Sequence, residues 1–255
     1  LFANVTRNVG FWASYADPTT GTRAVSFAGS TLGAAAPGAP ITLAFDANGT
    51  ATASLRYADV GALRLNARYV GGAAGDAGLL ITGEDRFVVK PARFQLTIPG
   101  HNADSAVPGD ATRPVFGVAG VPFNVSVQAL NASGNPTPNF GREIAPERVT
   151  LRSTLQAPLG GRNPDPVPTL ATGFGAFSNG AASGAWRWDE VGVITLNPGL
   201  ADRHYLDYSP TIDGDVEGTA VERVGRFRPA RLGIAPNVPR FANACAAGSF
   251  GYVGQ

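Results

Sequence analysis

The chain has 255 residues and a formal net charge of +1, which supplies no basic face for nucleic acid or an anionic membrane surface. Hydrophobic residues make up 44 % and charged residues only 15 %, so the surface is left largely to Ser, Thr, Asn, Gly and backbone. The 33 Gly and 20 Pro amount to about a fifth of the chain, short of the roughly 25 to 30 % that marks low-complexity sequence. No run of about 18 apolar residues occurs, so no membrane-spanning helix is expected in this segment. With one cysteine, Cys245, neither a disulfide framework nor a cysteine metal site can be built, and any disulfide partner lies outside these residues.

In chain order, the first turn-forming cluster is Asp17-Pro18-Thr19-Thr20-Gly21. Ile41, Leu43 and Phe45 alternate ahead of the turn Asp46-Ala47-Asn48-Gly49. Leu63, Leu65, Ala67 and Tyr69 point one way while Arg64, Asn66 and Arg68 point the other, the pattern of a half-buried strand. Phe94, Leu96 and Ile98 alternate with polar neighbours, as do Phe123, Val125, Val127 and Ala129 before the turn cluster Asn131 to Pro136. No window offers an amphipathic helix, because Gly or Pro interrupts the Ala-rich stretches.

The chain repeats itself. Asn48 to Asn66 (NGTATASLRYADVGALRLN) matches Asn179 to Asn197 (NGAASGAWRWDEVGVITLN) without a gap at an offset of 131. Val9 to Pro18 matches Val149 to Pro158 at 140, and Val88 to Leu96 matches Arg226 to Ile234 at 138. A domain-sized period fixes architecture before chemistry is considered. Together with many short strands, it predicts an all-β fold of tandem immunoglobulin-like antiparallel β-sandwich domains. The units are residues 1–90, 91–228 and the start of a third at 229–255. Both ends are expected to be truncated within a repeat, the first unit lacking a counterpart of roughly Pro91 to Asn139. Exposed strands at such ends are expected to be a property of the fragment and not a binding site. The tail Phe250 to Gly254, with Tyr252, resembles Phe116 to Gly120. Glycine at Asp59-Val60-Gly61 and Glu190-Val191-Gly192 is expected to allow positive φ or close backbone approach. Units joined through Pro-Ala-Arg at Glu84 to Phe94 and Glu222 to Leu232 should sit end to end with restricted freedom, unlike a Gly/Ser linker.

Residues able to carry chemistry are few. His101 and His204 lie in loop-like sequence and read as exposed loop histidines, far from a triad or zinc constellation. Asp213-Gly214-Asp215 and Glu217, near Asp207, offer oxygen ligands for calcium without the spacing of an EF-hand, so a solvated acidic turn is the plainer reading and no cofactor is expected. Trp186 and Trp188 stand where the first repeat has Leu55 and Tyr57, which assigns them to the core. Trp12 aligns with Arg152, out of phase with Phe11, and is the one candidate ligand-binding residue. The Asn-x-Ser/Thr triplets at Asn4, Asn48, Asn124 and Asn131 read as accidental.

Tyr15 to Thr22, Asp59 to Tyr69, Asn139-Phe140-Gly141, Val224 to Pro229 and the Cys245 to Gln255 stretch together resemble the large MshQ-like proteins of mannose-sensitive-haemagglutinin type IV pilus systems, in their region of unknown function. The resemblance covers essentially the whole chain. It implies an extracellular, pilus-associated bacterial surface protein and brings no catalytic or ligand residues. The expected function is therefore a non-enzymatic stalk of a pilus-associated adhesin, with pilus or cell-surface proteins as partners. The alternatives are a carbohydrate-binding module reading host or surface glycans through Trp12, and an accessory region of a secreted hydrolase.

Overall fold

The computed structural model describes residues 2–72, 75–107, 112–206, 215–216 and 218–234. The first part of the chain forms strands β1 (Thr6–Asp17), β2 (Ser26–Phe27), β3 (Ser30–Thr31), β4 (Ala39–Ala44), β5 (Leu55–Arg56), β6 (Gly61–Val70) and β7 (Leu80–Val89). These make a four-stranded sheet in the order β4-β1-β6-β7 and a three-stranded sheet β3-β2-β5. The second part forms β8 (Arg93–Thr97), β9 (Gly117–Val118), β10 (Phe123–Leu130), β11 (Val149–Ala157), β12 (Val167–Pro168), β13 (Ala181–Arg187), β14 (Gly192–Leu200) and β15 (Val221–Arg228). Its two sheets run β12-β13-β10-β8 and β11-β14-β15-β9. The described residues contain no α-helix, only a 3-10 turn at Ala103–Ala106. The fold is all-β, with immunoglobulin-like sandwiches in tandem.

The repeat holds down to register. Phe11, Ala13 and Tyr15 of β1 face Ala67, Leu65 and Leu63 of β6, and Leu151, Ser153 and Leu155 of β11 face Pro198, Leu196 and Ile194 of β14. Both pairings slip at the same place, between Tyr15 and Asp17 and between Leu155 and Ala157. A bulge of this kind bends a strand and sharpens its twist. Opposite each bulge lies the glycine of the repeated triplet, Gly61 with φ +131° and Gly192 with φ +136°. A Cβ on either would come within 2.6 Å of the Asp17 carbonyl or 2.2 Å of the Ala157 carbonyl. Glycine is required at both places by φ and by contact. One pairing departs from the antiparallel expectation: β15 and β9 run parallel, Phe227 beside Gly117.

The second sandwich has one continuous core, including Phe94, Val125, Val127, Phe140, Leu151, Trp186, Trp188, Ile194, Leu196 and Phe227. Trp186 and Trp188 are 1 % and 0 % exposed, where the repeat places them. The first sandwich has its own smaller core, Val9, Phe11, Ala13, Val25, Leu32, Ile41, Leu63 and Tyr69. Leu55, the counterpart of Trp186, is 38 % exposed. The difference is one of neighbours: Trp186 lies opposite Phe123 of β10, and among the described residues no strand stands in that place beside Leu55.

Candidate functional site at the joint between the sandwiches

The most developed arrangement of polar side chains lies where the two sandwiches meet. β7 ends at Val89 and β8 begins at Arg93, and three residues with a buried Pro91 leave little slack. Ala92 N donates to the Leu130 carbonyl (2.8 Å), and Lys90 Nζ donates to the Asp215 carbonyl (2.7 Å). The first sandwich presents the loop before β6, Tyr57 to Val60, and the loop after β1. The second presents the long loop between β10 and β11.

Asn139 is the centre of the joint. It is 0 % exposed, and Asp59 facing it is 1 % exposed. Asn139 N donates to Asp59 Oδ1 (3.0 Å); its Nδ2 donates to Tyr57 Oη (2.8 Å) and to the Val60 carbonyl (3.1 Å). Its Oδ1 accepts from Arg142 Nη1 (3.3 Å). Asp59 also accepts from Val60 N (3.0 Å) and from the Thr22 hydroxyl. Every polar atom of the Asn139 side chain is thus satisfied, and the buried Asp59 carboxylate has three donors. That is the condition under which burying such groups does not penalise folding heavily. Around this centre Arg142 Nη2 reaches Thr20 Oγ1 (3.1 Å), Ile144 N reaches Asp17 Oδ1 (2.8 Å), and Asn131 Nδ2 reaches the Ala58 carbonyl (2.9 Å). Val60, beside Asp59, is 1 % exposed and packs in the core of the second sandwich. Burial and the neighbouring Asp59 push the Tyr57 hydroxyl pKa well up, so it stays protonated.

The loop carrying Asn139 is anchored on its other side. Phe140, next in sequence and fully buried, sits between Phe94 (5.2 Å between ring centres) and Phe177 (4.9 Å). Glu143, 3 % exposed, accepts from Gly141 N (2.7 Å) and from Tyr205 Oη (2.8 Å). Burial raises its pKa. Glu147 accepts from Leu206 N (2.8 Å) and is pushed up to about 7, first by burial and then by the charges of Asp202, Glu143 and Asp17. A cleft of about 790 Å³ opens along this seam, lined by Asp17, Arg86, Glu147, Arg148, Asp202 and Leu206 among others. Chemically the joint binds one sandwich to the other. The Asp59 carboxylate is occupied by its donors and presents no free acid or base.

The residues singled out from sequence are scattered. Trp12 is half-buried on the outward face of the first four-stranded sheet, in one row with Asn66 and Glu84. Its indole N–H has no hydrogen-bond partner among the described residues. Asn66 beside it, expected to be solvent-facing, is only 8 % exposed, because its amide is drawn to Ser14 Oγ (3.3 Å) and the Arg64 carbonyl (3.3 Å). His204 is exposed as expected, whereas His101 is half-buried and burial lowers its pKa. Asp207, Asp213, Gly214 and Glu217 of the calcium reading, Cys245 and Tyr252 lie outside the described residues. Among the described residues no group of three or more His, Cys, Asp or Glu is placed to hold a metal. Asp59 and Asn139 were not singled out as partners from sequence. Their only signal was membership of repeated or family-like segments, since 80 residues separate them.

Comparison with known proteins agrees with a tandem array. Residues 1–84 match the domain of unknown function DUF6701, first Ig-like domain; residues 90–186 match the DUF6701 second domain and residues 190–255 its third. No curated protein matches the chain. Among solved structures, invasin, a bacterial integrin-binding protein, is 14 % identical with a TM-score of 0.29 over 84 % of this chain and 32 % of its own. The β-glucuronidase of Parabacteroides merdae is 11 % identical with a TM-score of 0.27 over 78 % of this chain and 21 % of its own. This chain therefore spans about a third or less of either structure, and neither likeness bears on what it does.

Proposed function

We propose that this chain, which belongs to the DUF6701 family through three tandem domains, is a non-enzymatic, load-bearing stalk of a bacterial surface adhesin associated with pili. The single observation that supports a stalk is the joint. Asp59 and Asn139 are buried together with all their side-chain polar atoms paired, and Val60 is set into the neighbouring core. Such an interface holds two sandwiches at one angle, where a flexible linker would let them swing. The units we assign from the sequence repeat are 1–90, 91–228 and 229–255; keeping β14 and β15 in the second unit agrees with their hydrogen bonding to β11 and β9, although the family's third domain begins at residue 190. The extracellular site, the pilus and its proteins as partners rest on family resemblance and not on any residue of the joint.

Small-angle scattering tests the stalk. The wild-type chain should fit one fixed arrangement of sandwiches, and Asn139→Ala should broaden it into an ensemble. A wild-type profile already requiring an ensemble would sink the proposal. Antibody labelling of intact, piliated cells tests the location; signal confined to the cell interior would exclude it. A second reading, a glycan-binding face, is favoured by Trp12 on an outward sheet face, its indole N–H without a hydrogen-bond partner among the described residues. It requires saturable binding on a glycan array that Trp12→Ala weakens.

A further inference from the structure

The outward face of the first four-stranded sheet carries an excess of arginine. Side chains alternate across a strand, and the inward set of β1 is Val9, Phe11 and Ala13, all buried. Trp12 therefore points outward, directly opposite Asn66 of β6. Its diagonal neighbours on β6 are Arg64 and Arg68, which stand opposite Ser14 and Gly10, at the roughly 7 to 8 Å that long side chains can span. Beyond them on β7 lie Arg86, Glu84 and Thr82. Arg64, Arg68 and Arg86 thus share the outward face of these strands with the single acid Glu84. Glu84 is taken by Arg64 (2.8 Å), and Arg86 lines the cleft at the joint with Glu147 and Asp202. Arg68 makes no hydrogen bond or ion pair with any described residue, and its Nε is buried and unpaired.

The second sandwich has the same row with its charge answered. Arg152 and Asn197 stand opposite each other there, as Trp12 and Asn66 do in the first. Arg152 Nη2 donates to the Leu200 carbonyl (3.0 Å), and Arg152 and Arg203 line a pocket of about 380 Å³ together with Asp165 and Asp215. On the first sheet an aromatic ring stands in the place of Arg152, and no acid besides Glu84 joins it on these strands. A buried guanidinium nitrogen without an acceptor is costly, and a bound ion or ligand is one physical reason for it to persist. The indole beside it supplies a flat apolar surface with a polar N–H at its rim. The loop ahead of β4 bounds this face on one side, since a Cβ on Gly10, opposite Arg68, would meet the Pro37 carbonyl at 2.4 Å.

We propose that this face binds an acidic saccharide, a chain of hexuronic acid units, with Trp12 as the platform for one ring and Arg68 and Arg64 as receptors for carboxylates. This rests on the glycan-binding reading of Trp12 and gives that reading a ligand class. A pyranose ring presents a face of C–H bonds that packs on an indole, while its hydroxyls stay in water and its C5 carboxylate extends to the side. From a ring over Trp12 that carboxylate lies within reach of Arg68, and the carboxylate of a neighbouring unit within reach of Arg64. Guanidinium and carboxylate meet through two parallel hydrogen bonds, which would supply the acceptor that Arg68 Nε lacks. Arg64 can exchange Glu84 for the ligand readily, because their pair is exposed on both sides and such pairs hold weakly. Two arginines are too few for nucleic acid, whose attachment draws on many phosphate contacts.

Isothermal calorimetry on the 255-residue chain tests this with tetramers of galacturonate, mannuronate and glucuronate, each beside its methyl ester, which keeps the ring and removes the charge. At least one acid tetramer should bind saturably, and its ester about tenfold more weakly or worse, the size expected for losing a charged hydrogen-bonded pair. Trp12→Ala and Arg68→Gln should each weaken the acid tetramer about tenfold on the same scale, with Arg68→Lys recovering part of the loss. Arg187→Gln, on the second sandwich, should change nothing, and circular dichroism should show the same fold in every variant. If acid and ester bind alike, the glycan face stands and its preference for acid is overturned. If no acid and no ester binds, both are overturned together. Acid binding that Trp12→Ala or Arg68→Gln leaves at full strength reflects diffuse charge attraction and overturns this site.

Discussion

At the scale of single residues, Asn139 matters more than any residue the sequence brought forward as a chemical candidate. It donates and accepts with every polar atom it has, so its removal strands Tyr57, Val60 and Arg142 together. Leaving buried polar groups unpaired costs about 1 to 3 kcal/mol. Asn139→Ala should therefore lower unfolding stability by that amount in urea titration, with no change in secondary structure by circular dichroism. Trp186→Ala should cost about 3 to 5 kcal/mol in the same titration, because it empties a large volume from a closed core. Glu147 gives the joint a pH dependence of definite sign. Its folded pKa, raised to about 7, lies above the usual carboxylate value, so between those two values the folded state holds a proton that the unfolded state has lost. Stability should then fall as pH rises from about 4.5 toward 7. Glu147→Gln should flatten that slope in melting temperatures measured across the interval, leaving the same-signed contribution of Glu143.

Among elements, the repeated bulge and glycine are the clearest case of local sequence dictating geometry. Gly192 combines positive φ with a Cβ position 2.2 Å from the Ala157 carbonyl, while a Cβ on Gly160, also at positive φ, would meet nothing within 4 Å. Gly160→Ala should cost only the backbone strain, about 1 kcal/mol. Gly192→Ala should cost distinctly more, and a denaturation series of the two variants with Gly61→Ala separates strain from clash. The turns ahead of Thr50 and Asn135 were equally legible. Asp46 Oδ1 accepts from Asn48 N and Thr50 N, and Asn131 Oδ1 accepts from Ser133 N and Asn135 N. These are the local side-chain bonds that suit Asp and Asn to turns. The parallel pairing of β15 with β9 was not legible, since only two residues of β9 take part and periodicity says nothing about strand direction.

For the whole molecule, the joint should make the two sandwiches unfold as neighbours and not as strangers. A wild-type chain is expected to show closely overlapping transitions by calorimetry, and Asp59→Ala should separate them, because it removes the carboxylate that ties Thr22 to Asn139. The repeated triplet at Glu190 to Gly192 is half-buried where Asp59 to Gly61 is buried, although Val191 N donates to Glu190 Oε1 (2.9 Å) as Val60 N does to Asp59. What the amino-acid sequence determined by itself was everything carried by local pattern and by the repetition of that pattern along the chain. This includes alternation that makes strands, Asp, Asn, Gly and Pro that make turns, and a period that makes tandem sandwiches and assigns Trp186 and Trp188 to a core. What only the tertiary structure decided was which surfaces are covered. Leu55 is exposed and Trp186 buried at one repeat position; Asn66 and His101 are more buried than their local patterns imply; and Asp59 meets Asn139 across two domains. Burial depends on which strand or loop arrives from far along the chain, and no local pattern of residues carries that information.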